Sequence, residues 1–145
     1  MNPHLHLHIA GALLLALSAA HAFFWRYFGW GAELRAVSPL TRQVFGVHCF
    51  FIALVVAMFG ALSLCAADAL LAPGLLSQVV LGGMVVFWAC RLACQWFVYH
   101  RAIWRGRPLY TAMHVVFSAL WSYLVFAYTM ALIAARFSLS FPRVR

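Results

Sequence analysis

Four long apolar stretches occupy almost all of this chain of 145 residues and determine what it can fold into. A helix that crosses a bilayer needs about 20 mostly apolar residues. The four stretches run over about residues 5–28, 44–71, 75–100 and 109–135. We therefore predict an all-α fold: an integral membrane four-helix bundle with up-and-down topology, formed as a single domain over residues 1–145.

The composition excludes a water-soluble globular domain. Hydrophobic residues make up 67% of the chain and charged residues 8%, whereas a soluble domain carries about 25% charged residues. All ten basic residues are Arg, and the two acids are Glu33 and Asp68. The net charge of +8 is compatible with nucleic-acid binding, but no soluble surface remains to present it. We expect the lipid bilayer as the partner, and no nucleic acid.

The arginines also predict how the chain is oriented, because cytoplasmic connections are enriched in basic residues. Six arginines lie in or beside the first and third connections: Arg26, Arg35, Arg42, Arg101, Arg105 and Arg107. Three follow the fourth stretch: Arg136, Arg143 and Arg145. Six against three predicts a multi-pass protein of the cell (inner) membrane, with both termini outside the cytoplasm.

Seven histidines are many for so apolar a chain. His21, His48 and His114 lie in three different stretches, at similar expected depths from the cytoplasmic side. In a bundle these side chains can converge, which suits the axial ligands of a haem or a transition-metal site. We therefore predict these three as metal ligands, with haem b or a transition metal as the cofactor. The alternative is that the rings sit at the membrane interface, which we prefer for His100.

Two further sets of residues are expected to be structural. The four cysteines lie within the apolar stretches and form no Cys-x-x-Cys motif, and cysteine is often a small buried residue. His4, His6 and His8 open the first stretch, where a solvated end of the helix is the preferred interpretation over a weak metal site.

Arg91 is the strongest single signal, because it lies well inside the third stretch. An Arg at the centre of a bilayer costs about 2.5–3.5 kcal/mol and usually faces a bundle interior or a wet cavity. Trp88, Gln95 and Tyr99 share its helical face. Asp68 is expected near the opposite surface, so the counter-anion should come from outside the chain as a carboxylate, a phosphate or a haem propionate. Snorkelling or bonds to backbone carbonyls are the structural alternative.

These residues together predict a polar cavity open to the cytoplasmic leaflet. The expected cofactor-binding residues are His21, His48, Arg91, Gln95 and His114. The candidate catalytic residues are His48, Arg91 and His114. A substrate is expected to contact Gln43, Trp88, Tyr99, Ser118 and Trp121. For Ser118 a packing role is the preferred interpretation, since small residues let helices approach closely.

Three functions fit this cavity, and whether the protein is an enzyme stays open. The first is a haem- or metal-binding protein of oxidoreductase type, because four-helix bundles commonly hold cofactors between facing helices. The second is a membrane enzyme that acts on a lipid or isoprenoid-like substrate by His acid–base chemistry, with Arg91 as the anion anchor. The third is a subunit of an oligomeric transporter or membrane assembly. The expected partner is a hydrophobic or amphipathic small molecule with an anionic group, with a homo-oligomer or a larger membrane complex as a further possibility.

Overall fold

Four long apolar helices form the framework of the computed structural model. The structure describes residues 2–100, 102 and 104–140, and for residues 138–140 it describes the backbone alone. The long helices are α1 (Pro3–Tyr27), α3 (Pro39–Cys65), α5 (Leu75–Phe97) and α6 (Pro108–Ser140). Two short helices, α2 (Trp30–Glu33) and α4 (Ala67–Leu71), and a 3₁₀ turn (Leu34–Ala36) connect them. The four long helices are long and apolar enough to cross a membrane, and the described residues contain no strand. The predicted all-α membrane fold is confirmed.

The second predicted span differs most from the observed helices. Helix α3 already begins at Pro39, because Ser38 caps it and accepts a hydrogen bond from the Thr41 amide at 3.2 Å. A proline at the first position and a serine before it are a common start for a helix. The helix ends at Cys65, and a bend at Ala66 separates it from α4. Hydrophobicity could not reveal this break, since Ala66 is itself apolar.

The described chain falls into two compact units. The first unit consists of residues 1–7 and 67–145, and the second of residues 8–66. Each contains one pair of long helices, α5 with α6 in the first unit and α1 with α3 in the second. The single domain over residues 1–145 stays a prediction.

In the second unit, α1 and α3 run antiparallel and cross at small residues. A Cβ atom on Gly11 would lie 2.9 Å from the carbonyl oxygen of Gly60 and 2.7 Å from Cγ of Leu64. Further along, the Ser18 hydroxyl donates to the carbonyl of Ala53 at 2.8 Å. Glycine at such a crossing lets two membrane helices bring their backbones into contact.

The connection between α1 and α3 turns at Gly29, whose φ of 67° is in the left-handed region that favours glycine. Directly after the turn, the ring of Trp30 stacks on Phe28 with centroids 5.3 Å apart. The same ring meets Phe45 of α3 edge-on at 5.0 Å. These aromatic contacts hold the short helix α2 against the beginning of α3.

In the first unit, α5 and α6 run antiparallel, and large side chains are buried between them. Trp88 of α5 and Trp121 of α6 are 1% and 4% exposed. The first turn of α1 also belongs to this unit. There the His4 imidazole donates to the Asp68 carboxylate at 2.7 Å, and His6 Nδ1 lies 3.1 Å from the Tyr123 hydroxyl. Both histidines therefore make specific contacts, beyond the solvated helix end that the sequence indicated.

Candidate functional site

Gln95 connects three residues at one end of the α5–α6 pair. Its side chain is almost fully buried, at 6% exposure. The amide oxygen lies 3.4 Å from Nη1 of Arg91 and 3.4 Å from Nε1 of Trp121, and the amide nitrogen lies 2.8 Å from Nδ1 of His114. We call Arg91, Gln95, His114 and Trp121 the Gln95 cluster. The structure thus brings together four of the residues that the sequence predicted for the site.

The partners of Gln95 fix the direction of each hydrogen bond. The guanidinium of Arg91 and the indole of Trp121 can only donate, so both require the amide oxygen as their acceptor. The amide nitrogen then faces His114 and donates to its Nδ1. A ring that accepts at Nδ1 carries the proton of its neutral form on Nε2.

The groups that contact the Arg91 guanidinium within its own unit are neutral. Its guanidinium carbon lies 4.9 Å from the ring centroid of Trp121 and 5.7 Å from that of Tyr99. Both distances are within the range of about 6 Å over which an aromatic face attracts a cation. Asp68 is the one acid in the sequence of this unit, and it pairs with His4. Among the described residues of this unit, no Asp or Glu side chain therefore neutralises Arg91.

An aromatic stack lies directly beside the guanidinium. Trp121 stacks on Trp88 with centroids 5.2 Å apart and on Phe117 at 5.6 Å, with interplanar angles of 11° and 12°. The sequence prediction missed Phe117, although its position three residues after His114 and four before Trp121 is the spacing of one helical face.

Trp104 covers the ring of His114, and it too was missed. The two rings are stacked with centroids 4.1 Å apart and an interplanar angle of 17°. The carbonyl of Trp104 accepts from the Thr111 hydroxyl at 2.9 Å and from the Arg107 amide at 3.0 Å, which fixes the turn before α6. No spacing rule points to Trp104, because it lies in the irregular connection between α5 and α6.

His21 and His48 belong to the second unit and have a different environment. Nδ1 of His21 donates to the carbonyl of Leu17 at 2.8 Å, and Nδ1 of His48 to that of Val44 at 2.9 Å. A carbonyl can only accept, so both rings carry the proton on Nδ1 and have the lone pair on Nε2. Each ring is thus bonded to its own helix, four residues back.

The remaining predicted substrate contacts have varied positions. Gln43 is exposed near the beginning of α3 in the second unit. Tyr99 lies beyond the end of α5 at Phe97, so it is not part of a continuous helical stripe, yet its ring still faces Arg91. The hydroxyl of Ser118 is buried and has no hydrogen-bond partner among the described residues.

The metal ligands and the orientation stay predictions. Among the described residues, no group of three or more His, Cys, Asp or Glu side chains could hold a metal ion. The four cysteines are free thiols. Of the arginines that predict the orientation, Arg101, Arg143 and Arg145 lie outside the described residues.

Comparison with known protein families, with curated proteins and with solved structures finds no match for this chain. What the site does must therefore be inferred from its geometry and chemistry.

Proposed function

We propose that this membrane protein binds a small amphipathic molecule by its anionic group, with Arg91 as the anchor. The observation that carries the proposal is the environment of Arg91. The residue lies within an apolar helix, and its partners in its own unit are a neutral amide and two aromatic rings. A charge in such a position is costly and is commonly retained for function.

The chemistry of the guanidinium favours a carboxylate or a phosphate as the anionic group. Arg presents five N–H donors in a planar fork that matches the paired oxygens of either group. One donor reaches Gln95 at the long distance of 3.4 Å. The ligand would complete the charge balance that the unit's own sequence does not provide.

The surroundings of Arg91 favour an apolar remainder of the ligand. The stacked rings of Trp88, Trp121 and Phe117 form an aromatic wall beside the charge. Such a wall suits a hydrocarbon or polyene chain, while the polar end meets Arg91 and His114. By the distribution of arginines, the site would open toward the cytoplasmic leaflet.

An enzyme that acts on such a ligand is the second candidate. The direction of the Gln95–His114 hydrogen bond favours it, because neutral His114 would present an N–H group at Nε2 that can polarise an oxygen of the ligand. In this version Arg91 holds the anionic group and His114 stabilises negative charge on the reacting oxygen by a hydrogen bond.

Binding of dodecyl phosphate to the purified protein in dodecyl maltoside tests the proposal. Isothermal titration calorimetry should detect binding of the phosphate but not of dodecyltrimethylammonium. Arg91→Leu should weaken phosphate binding about ten- to a hundredfold, because a hydrogen bond to a charged group contributes about 1.5–3 kcal/mol. Arg136→Leu is the matched control, since it removes an exposed arginine from α6. Equal binding by the native protein and Arg91→Leu would refute the anchor.

A further inference from the structure

We propose that Gln95 holds His114 as the tautomer with its proton on Nε2, so that this ring edge donates to an oxyanion and does not ligate a metal ion or a haem iron. The inference deepens the proposed function, because it specifies what the ligand must offer to His114. A carboxylate or phosphate oxygen accepts such a hydrogen bond, whereas a cation cannot.

The inference depends on the number of donors around the Gln95 amide. Arg91 and Trp121 both present N–H groups to one side of it, at 3.4 Å each. If the amide turned over, its NH₂ group would face these two donors, and no acceptor would remain between them. The observed orientation is the one that gives all three N–H groups an acceptor, including the one directed at His114 at 2.8 Å.

Metal binding needs the opposite arrangement at His114. A histidine that ligates through Nε2 normally donates its Nδ1–H to a carboxylate or a carbonyl oxygen, which leaves the lone pair on Nε2 for the metal. At His114 the lone pair on Nδ1 instead accepts from Gln95. The residue therefore fits neither a haem iron nor a transition metal at its Nε2 atom, although the sequence favoured it as a ligand.

The chain provides its own reference for the opposite tautomer. His21 donates from Nδ1 to the carbonyl of Leu17, and this arrangement leaves the lone pair on Nε2. His21 and His114 should consequently show opposite protonation patterns under the same conditions. A difference of this kind within one sample cannot be attributed to the solvent or to the detergent.

The first experiment needs no ligand, so its outcome is independent of the test of Arg91. Two-bond ¹H–¹⁵N spectra of protein labelled at histidine report which ring nitrogen carries the proton. The signals of the two residues are assigned by their loss in His114→Asn and His21→Asn. We expect a protonated Nε2 at His114 and a protonated Nδ1 at His21. A protonated Nδ1 at His114 would overturn the proposal.

The second experiment tests whether Gln95 is the cause. In Gln95→Glu, the carboxylate still accepts from Arg91 and Trp121 but can no longer donate, so the proton of His114 should move to Nδ1. Gln78→Glu makes the same change near the beginning of α5 and should leave His114 unaltered. If Gln95→Glu does not fold, Gln95→Met removes the donor without a charge and should give a mixture of the two tautomers. An unchanged Nε2–H pattern in the folded variant would contradict the role of Gln95.

Titration with Zn²⁺ alone completes the test. The His114 signals of the native protein should not respond to the metal. Gln95→Glu creates a carboxylate–histidine pair, and such partners change metal affinity by about ten- to a hundredfold. We therefore expect at least tenfold tighter Zn²⁺ binding, and its loss when His114→Asn is added. A Zn²⁺ response of His114 in the native protein would refute the inference.

Discussion

In the α1–α3 pair a glycine lets the two backbones approach closely, whereas the α5–α6 pair buries stacked aromatic rings and a polar cluster between its helices. The carbonyl oxygen of Gly60 lies 2.9 Å from the position that a Cβ atom of Gly11 would take. The stacked rings of Trp88 and Trp121, in contrast, have centroids 5.2 Å apart. At Gly11 the contact is between backbones, whereas the contacts of α5 with α6 are made by large side chains, among them those of the Gln95 cluster. Packing through large side chains is thus what brings the polar side chains of the Gln95 cluster together.

The histidines of the two pairs differ in the same way. His21 and His48 bond to carbonyls of their own helices, so neither contact depends on the packing of a neighbour. His114 bonds to Gln95 on the opposite helix, and its ring is covered by Trp104. Of these three histidines, His114 is therefore the one whose protonation pattern is set by a contact with another helix.

The largest effect is expected for Trp121→Ala, which removes a buried ring that stacks on Trp88 of the other helix. Loss of a buried tryptophan costs about 3–5 kcal/mol of unfolding free energy, because the contacts of the ring are replaced by a cavity. Trp96→Ala is the control, since Trp96 is 55% exposed on the same pair. Reversible unfolding in mixed micelles followed by circular dichroism measures both. Equal losses in the two variants would mean that the buried stack stabilises the protein no more than an exposed ring does.

A smaller effect is expected for Gly11→Ala, which tests the close pair. The new methyl group would meet the backbone of Gly60, which cannot move as a side chain can. Overpacking of this kind costs about 1–3 kcal/mol of unfolding free energy. Gly83→Ala is the matched control on α5, because a Cβ atom there meets no atom within 4 Å. The comparison fails if both alanine variants have the stability of the native protein.

The smallest effect is expected for Asp68→Asn, which weakens the exposed His4–Asp68 contact outside the Gln95 cluster. The Asp68 side chain is 97% exposed, and exposed pairs contribute at most about 1 kcal/mol. The loss should shrink further in 1 M salt, where screening is strong. Thermal unfolding at low and high salt measures it. A loss as large as that of Gly11→Ala would show that the N-terminal turn contributes far more than its exposure suggests.

The sequence was sufficient for the number and approximate position of the four spans, because length and hydrophobicity indicate a membrane helix, but not for the break at Ala66. It also identified Arg91, Gln95 and His114, whose polarity stands out in apolar helices. It could not predict the direction of the Gln95–His114 hydrogen bond, which depends on two donors from different helices. The sequence did not predict Trp104 as a site residue for a related reason, since its contact with His114 depends on the path of an irregular turn.

The contacts of the N-terminal turn join residues that are synthesised at very different times. His6 meets Tyr123, which lies 117 residues later in the sequence, and His4 meets Asp68, 64 residues later. During synthesis the first helix leaves the ribosome long before either partner exists. The His4 contact can form once α4 has been made, whereas the His6 side chain lacks Tyr123 until α6 is inserted. Formation of the His6–Tyr123 contact is therefore a marker that the last helix has arrived.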